Sequence, residues 1–327
     1  MVDRILIDLY RIEVPIPKSP LKALNAYLIK GKDRFLLVDT GLRREQCLRP
    51  LLQGLDELGV DLNRTDLFIT HLHADHLGLV EEMHTPGNKV YFSEKEAALV
   101  MLISQNVEER YQELYQYFIA NGFPKDELDL AVKNHPGFRY SPAHPPAFDT
   151  VREDDTIEIG DYCFRCIETP GHSPGHMCLY DAGRKILFSG DHILFDITPN
   201  ITRWPEFDDS LRNYLASLEK TYRLEVDLVL PGHRNIMKDH RKRIRQLQEH
   251  HKQRLHEALR AVSEGKRTAW EVAPEISWDL VSASWESFPA VQKWFALGET
   301  IAHLKYLEGE GKIASRTQNH RISYSLQ

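Results

Sequence analysis

The chain has 327 residues, enough for two domains of about 150 residues each or for one large α/β domain with an appendage. With 42% hydrophobic and 27% charged residues it has the composition of a globular protein, and no stretch approaches the roughly 18 apolar residues of a membrane helix. The formal net charge of −7 argues against a nucleic-acid-coating surface, although the part from His240 to Gln327 holds 14 Lys and Arg against 10 Asp and Glu, a surplus of +4.

The opening, MVDRILIDLYRIEVPIP, has early acids and strand-like alternation in place of the basic and apolar regions of a signal peptide, so a cytoplasmic protein is expected. ILIDLYRIEVPI, AYLIKG and RFLLVDTG predict successive strands, and EQCLRPLLQGLDELG a helix stopped by glycine. DLFITH is a buried-type strand that ends in a histidine run, and KVYFS is expected to close this first unit. From Glu94 the spacing turns helical, which predicts an insertion over 94–148 that ends in the loop HPGFRYSPAHPP. Tyr111, Leu114, Tyr115, Phe118 and Ile119 fall at helical i, i+3, i+4 spacing and predict a core-facing stripe. As a unit, the insertion is expected to sit over the site as a lid.

Strand signals resume with DTIEIG, YCFRCIETPGH, HMCLYDAG and KILFSGD, then a helix from about Asp208 to Tyr222, then DLVLPGH. Two β-rich units flanked by helices predict an α/β sheet-on-sheet sandwich with helices outside. Past His233 a helix from Asn235 to about Glu264, a short one in TAWEVAPEI, a third in PAVQKWFALGETIAHLKYLEGEG and a hairpin in KIASRTQNHRISYSL give the layout of a winged helix. The expected domains are 1–238 and 239–327.

Cys47, Cys163, Cys166 and Cys178 are few and irregularly spaced, which fits a reducing compartment without disulfides. Cys163 and Cys166 form a C-x-x-C, but within an alternating strand residues three apart point to opposite faces, so two ordinary strand cysteines are expected.

The chemistry concentrates in THLHADHLG, where His71, His73, Asp75 and His76 follow a strand within six residues. Zinc and similar ions take imidazole nitrogen and carboxylate oxygen at about 2.0–2.2 Å, and a loop leaving a strand can turn such side chains toward a common centre. Three later strand ends supply more of the same donors: His172 in TPGH, Asp191 in SGD and His233 in PGH. Each is ordinary turn chemistry alone; in this order, each after an apolar strand, they are specific together.

On these motifs the chain resembles the metallo-β-lactamase superfamily of αββα sandwich hydrolases, from about Ile5 to His233 apart from the insertion. The resemblance implies that His71, His73 and His172 hold one divalent metal ion, that Asp75, His76 and His233 hold a second, and that Asp191 bridges them. It places Asp39 and His176 beside the metals. His192, with His135, His144 and Arg203, is a candidate pocket residue. Zinc is the expected metal, with iron and manganese also suited to this donor set. Two such ions about 3.5–4 Å apart share a water that becomes a hydroxide nucleophile near neutral pH, with Asp75 as a proton shuttle.

Asp191 stands where zinc β-lactamases place a cysteine, which argues against β-lactams as substrate. His73 stands where flavodiiron proteins have a glutamate, and Leu194 where quorum-quenching lactonases have a tyrosine. Glyoxalase II is similar at TPGH and SGD, but its Cys-Gly-Lys segment is not seen in DHILFDITPNITRW. Persulfide dioxygenases keep a similar histidine run. Over its whole length the chain resembles lactamase-like hydrolases that end in a winged-helix-like domain, a group with a mitochondrial single-strand ribonuclease and acyl-CoA thioesterases; GETIAHLKYLEGEGKI carries that similarity. The expected substrate is a small-molecule ester, acyl-CoA-type thioester or lactone. The alternative is a ribonuclease or phosphodiesterase that binds nucleic acid through Arg241, Lys242, Arg243, Arg245, Lys312, Arg316 and Arg321. A packing or dimerisation module, with a homodimer, is favoured over nucleic-acid binding for the C-terminal part. A regulator with a vestigial metal fold is a third reading.

Overall fold

Period-two alternation decides the layering, because successive strand residues must enter different cores. The structure, a computed structural model, describes residues 1–204, 209–278 and 284–327. A seven-stranded sheet follows chain order through β1 (Val2–Leu6), β2 (Leu9–Pro15), β3 (Ala23–Lys30), β4 (Phe35–Val38), β5 (Thr65–Ile69), β6 (Val90–Ser93) and β7 (Asp149–Val151). A five-stranded sheet of β8 (Thr156–Ile159), β9 (Tyr162–Glu168), β10 (Met177–Asp181), β11 (Ile186–Gly190) and β12 (Leu228–Pro231) has the order β12-β11-β10-β9-β8. The helices are α1 (Glu45–Glu57), α2 (Ala74–Leu77), α3 (Val80–Met83), α4 (Glu94–Gln105), α5 (Val107–Ala120), α6 (Lys125–Asn134), α7 (Pro136–Tyr140), α8 (Ser210–Tyr222), α9 (His240–Ser263), α10 (Ala269–Val272) and α11 (Ala290–Gly309). A hairpin of β13 (Ile313–Gln318) and β14 (Arg321–Leu326) ends the chain.

Tyr27, Ile29, Leu36, Val38 and Phe68 of the first sheet meet Phe164, Cys166, Leu179, Phe188 and Leu230 of the second in one core. Their strand neighbours Leu24, Leu28, Leu37 and Ile69 face outward onto Cys47, Leu51 and Leu55 of α1. Ile167, Leu187 and Val229 of the second sheet face Leu211, Tyr214 and Leu218 of α8 and Ile244 and Leu247 of α9. The α/β layering is therefore helix, sheet, sheet, helix. Among the described residues no helix is long and apolar enough to cross a membrane.

Several expectations change at element ends. The first expected strand is two, because Ile7 and Asp8 form a tight turn with Asp8 at φ +57°; it has neither glycine nor proline to announce it. KVYFS, as β6, is not the edge: β7 pairs parallel to it after the insertion. The loop HPGFRYSPAHPP contains the turn of helix α7, where the His135 side chain accepts from Gly137 N at 3.1 Å. The helix expected from Asn235 starts at His240, capped by Asp239, because Met237 is drawn into backbone bonds with Val229. Asp208, the expected start of α8, lies outside the described residues; the helix begins at Ser210 with Asp209 as its cap. On β9, Cys163 is exposed and Cys166 buried, as alternation requires.

Most of the expected stripe of the insertion faces a core, one it shares with the C-terminal helices: Phe118 is buried there and Leu114, Tyr115 and Ile119 pack against it, whereas Tyr111 meets Tyr115 and Phe138. Phe118, Phe123 and Leu128 are buried with Trp294, Leu297 and Ile301 of α11 and Ala258 and Val262 of α9. Phe118 stacks on Trp294 at 4.0 Å between ring centroids, and Lys293 Nζ meets Glu127 Oε2 at 2.5 Å. Trp294→Ala should cost about 3–5 kcal/mol by emptying the centre of this core, read from denaturant unfolding.

Candidate metal centre

Strand β5 ends at Ile69, and a short bent segment leads to His73, whose backbone is extended, before α2 starts. This segment brings His71 and His73 together, with Nε2 of His71 3.0 Å from Nδ1 of His73. The turn of α2 swings Asp75 and His76 around to a neighbouring position. The PGH turn after β12 is held by β3: Asn25 Nδ2 donates to Pro231 O (3.0 Å), Tyr27 Oη to the same oxygen (2.9 Å), and Asn25 N donates to Gly232 O (2.7 Å). A side chain at Gly232 would collide with His76 Cε1 at 2.7 Å and Asp191 Oδ1 at 2.8 Å, so the glycine is required for the turn to pass behind the site.

All seven expected residues converge. Their donor atoms form the groups His71–His73–His172, His71–His76–Asp191 and Asp75–His76–His233, each within 4.8 Å. His76 Nε2 is 3.3 Å from His233 Nε2, which is 3.3 Å from Asp75 Oδ2. Asp191 divides its oxygens: Oδ1 lies 3.5 Å from His76 Nε2 and 3.6 Å from His233 Nε2, while Oδ2 lies 3.6 Å from His172 Nε2. Donors bound to one tetrahedral ion at about 2.0–2.1 Å are about 3.3–3.4 Å apart, close to these spacings.

The far side of each ring identifies the free nitrogen. His172 Nδ1 donates to Asn200 O (2.7 Å), His233 Nδ1 to Ala23 O (2.8 Å) and His76 Nδ1 to Asp39 Oδ2 (2.7 Å). Thr70 Oγ1 donates to Asp39 and so accepts from His71 Nδ1 at 2.9 Å. In each case Nε2 is left as a lone pair aimed inward, the arrangement that oxygen-bonded metal-ligand histidines adopt. His172 Nε2 and Asp191 Oδ1 are buried without a hydrogen-bond partner. The residues present therefore fit metal ions.

Electrostatics point the same way. Burial and the neighbouring imidazoles hold His71 well below the usual imidazole range, and burial pushes His73 down to about 3. Burial would lower His76 as well, but the carboxylates of Asp39 and Asp191 outweigh it and hold His76 well above that range. Burial would raise Asp191, yet His233 and His76 hold it well below the usual carboxylate range. The pocket keeps its carboxylates charged and draws positive charge toward them, as a cation site does.

Asp39 sits at φ +61° with Thr70 N donating to its Oδ1 at 2.8 Å, which fixes the carboxylate against His76. His176 Nε2 accepts from Asp191 N at 3.1 Å, and its Nδ1 meets Thr169 Oγ1 at 2.8 Å. His192 is one layer further back: its Nε2 meets Thr221 Oγ1 of α8 at 3.0 Å. His135 packs against Trp294 and Phe295 of α11, and the backbone N of exposed His144 bonds Glu81. Arg203 N donates to Gly298 O at 3.2 Å. None of these last four hydrogen-bonds a residue of the donor groups.

Four participants escaped sequence reading: Thr70, Asn200, Trp204 and Glu96. Glu96 is fully buried in α4 and accepts from Leu72 N (2.7 Å), Ser173 Oγ (2.8 Å) and Gly175 N (2.5 Å), tying the loops of His71–His73 and His172 together. Burial pushes its carboxyl up to about 7 against these three bonds. Its sequence context, EKEAALV, reads as an ordinary solvated helix start, and only its adjacency to a strand end hinted otherwise. Glu96→Ala strands three buried donors and should cost about 3–5 kcal/mol, measured by chemical denaturation, with a loss of bound metal.

A family model described as the metallo-beta-lactamase superfamily matches residues 21–233. The chain belongs to the metallo-beta-lactamase superfamily. It is a metal-dependent hydrolase of that superfamily. A metallo-beta-lactamase family protein from Thermus thermophilus is similar in structure with TM-score 0.85 at 28% identity, covering 99% of this chain and 100% of that one. A beta-lactamase domain protein from Burkholderia ambifaria aligns with TM-score 0.84 at 25% identity over 100% of this chain and 94% of its own. The likeness thus runs beyond the sandwich into the C-terminal helices and hairpin. Among curated relatives, the acyl-coenzyme A thioesterase MBLAC2 of Gallus gallus is 29% identical over 229 residues, 65% of this chain and 73% of that protein. The beta-lactamase-like protein 2 homolog of Drosophila melanogaster is 26% identical over 295 residues, 90% of this chain and 85% of its own.

Proposed function

We propose that this superfamily hydrolase cleaves a small-molecule thioester of the acyl-CoA type, with esters and lactones as chemically related substrates, using two divalent metal ions, zinc before iron or manganese. The observation that carries the dinuclear reading is Asp191, whose two oxygens face two separate imidazole sets. His71, His73 and His172 would hold one ion, Asp75, His76 and His233 the other, and Asp191 both. When bound, the ions supply Lewis acidity, lowering the pKa of a water toward neutrality and drawing charge from the substrate carbonyl.

The chain's own residues set the approach. His73 and Asp75 are only partly buried while His71, His76, His172, Asp191 and His233 are buried, so the site opens on the His73–Asp75 side. Trp204 stacks on His73 there, with ring centroids 6.1 Å apart, and gives the entrance an apolar wall suited to an acyl group. Hydrolysis adds water across the C–S bond, and the proton that water gives up must reach the departing sulfur. Asp75, the carboxylate with its side chain 18% exposed at that entrance, carries it.

We read residues 1–238 as the catalytic domain, 94–148 as an insertion whose α7 reaches α2 and acts as a lid, and 239–327 as a winged-helix-like domain. The basic run on α9 does not favour nucleic acid. Arg241 bonds Glu225 at 2.8 Å, Arg243 reaches Leu194 O and Ile197 O at 2.7 and 2.8 Å, and Arg245 bonds the Tyr222 hydroxyl.

A panel of acyl-CoA, lactone, β-lactam and single-stranded RNA substrates, run with zinc-loaded protein, tests the reading. Acyl-CoA thioesters should be turned over with kcat/KM at least about tenfold above the other classes. RNA cleavage lost in His73→Ala, with binding that falls steeply with salt, would displace it.

A further inference from the structure

Glu299, in α11, lies behind the metal centre and is buried, with the buried guanidinium of Arg254 from α9 on its Oε1. His251 and His303 complete a group of metal-ligand spacing with it, all within 4.8 Å. The hydrogen bonds assign this group another task. His303 Nδ1 donates to Glu299 O at 2.8 Å, so its Nε2 accepts from His251 Nδ1 at 3.2 Å. One nitrogen of each ring is bonded to the other ring and the carboxylate already faces a cation; His251 Nε2 is buried without a hydrogen-bond partner, but one free imidazole nitrogen does not make a metal site.

What Glu299 offers the rest of the molecule is its second oxygen. Oε2 accepts from Asn200 Nδ2 at 2.8 Å, and the same amide donates to Phe295 O at 3.2 Å. The backbone carbonyl of Asn200 in turn accepts from His172 Nδ1 at 2.7 Å. The following residues stay pressed on α11: Arg203 N donates to Gly298 O at 3.2 Å, and any side chain at Gly298 would run into Thr202. Trp204 then stacks on His73 and donates its Nε1 to His172 O at 3.4 Å. One face of this run is moulded by helix α11. Its other face holds two residues of the His71–His73–His172 group.

We propose that the buried Arg254–Glu299 pair is a positioning device for that group, acting through Asn200 on the orientation and tautomer of His172. Arg254 fixes Glu299, Glu299 fixes the Asn200 side chain, and the backbone carbonyl of the residue so held keeps the proton on His172 Nδ1 so that Nε2 stays a lone pair. The helices α9 and α11 are thereby part of the metal site, although none of their residues would touch the ion. The inference rests on the metal reading above.

The test uses the full chain and zinc, with chelator competition for affinity, steady-state thioester kinetics, and nitrogen NMR of the histidine rings in metal-free protein. Asn200→Ala and Glu299→Ala should each weaken one of two zinc sites roughly 10–100-fold, lower kcat and leave KM near its starting value. Glu299→Gln, which retains an oxygen for Asn200, should recover most of the loss. Leu304→Ala, a void in the same C-terminal core, should lower Tm without moving zinc affinity. Should Glu299→Ala fail to fold, Asn200→Ala, half-buried and outside any ion pair, carries the test. Unchanged zinc affinity in Asn200→Ala, a loss matched by Leu304→Ala, or a third zinc ion that disappears in His303→Ala would overturn the proposal. If the wild-type chain takes up no zinc, the metal reading fails, while a His172 Nδ1–H signal present in the wild type and shifted or lost in Asn200→Ala, which keeps the backbone carbonyl but releases it from Glu299, supports the positioning role by itself.

Discussion

Asp191→Asn is expected to reduce bound metal from two ions toward one per chain and to lower kcat/KM for an acyl-CoA thioester on the order of 10³-fold. The substitution keeps size and hydrogen-bonding shape, so it isolates charge. In the native site each oxygen faces a different imidazole set, with Oδ1 toward His76 and His233 and Oδ2 toward His172. An amide presents one oxygen and one NH2, and the NH2 can hold no cation. It also removes a negative charge that, together with Asp39, holds His76 and, together with Asp75, holds His233 above the ordinary imidazole range, so the two proposed ions would lose the anion between them. Metal analysis beside kinetics separates the effects. A variant that keeps two ions and wild-type turnover would remove Asp191 from the bridge.

Chelation should abolish hydrolysis and lower Tm on the order of 10 °C, with both restored by zinc. An ion that binds only the folded chain stabilises it by about 4 kcal/mol at a thousandfold excess over Kd, and large domains shift by about 2–4 °C per kcal/mol. The physical source is the crowding of five imidazoles and two carboxylates in one pocket, where His172 Nε2 and Asp191 Oδ1 have no hydrogen-bond partner. Scanning calorimetry with and without chelator measures the shift. An unchanged Tm after verified removal of metal would count against a site built for ions.

The candidate donor residues were legible because a metal site would need particular residue types after strand ends, and strand ends announce themselves by a change from apolar alternation to turn residues. His71, His73, Asp75, His76, His172, Asp191 and His233 all follow that rule. The sandwich was legible for a related reason: period-two alternation in YCFRCIE or KILFS fixes which side chains share a face, and hence that two sheets must meet. Turns without glycine or proline, such as Ile7–Asp8, carry no such signal.

The supporting residues were not legible. Glu96, Asn200 and Trp204 act through groups 24 to 99 residues away, namely Leu72, Glu299 and His172. No local pattern marks a residue whose partner is set by the packing of another element. The same holds for the stripe Leu114–Phe118: helical spacing shows that it faces a core, but not that the core is made by α9 and α11. Side-chain chemistry is a property of the residue and survives in the sequence. Which neighbour supplies the second half of a buried hydrogen bond or a packed ring is a property of tertiary contact, and here it decides how the ligands are held and what borders the entrance to the site.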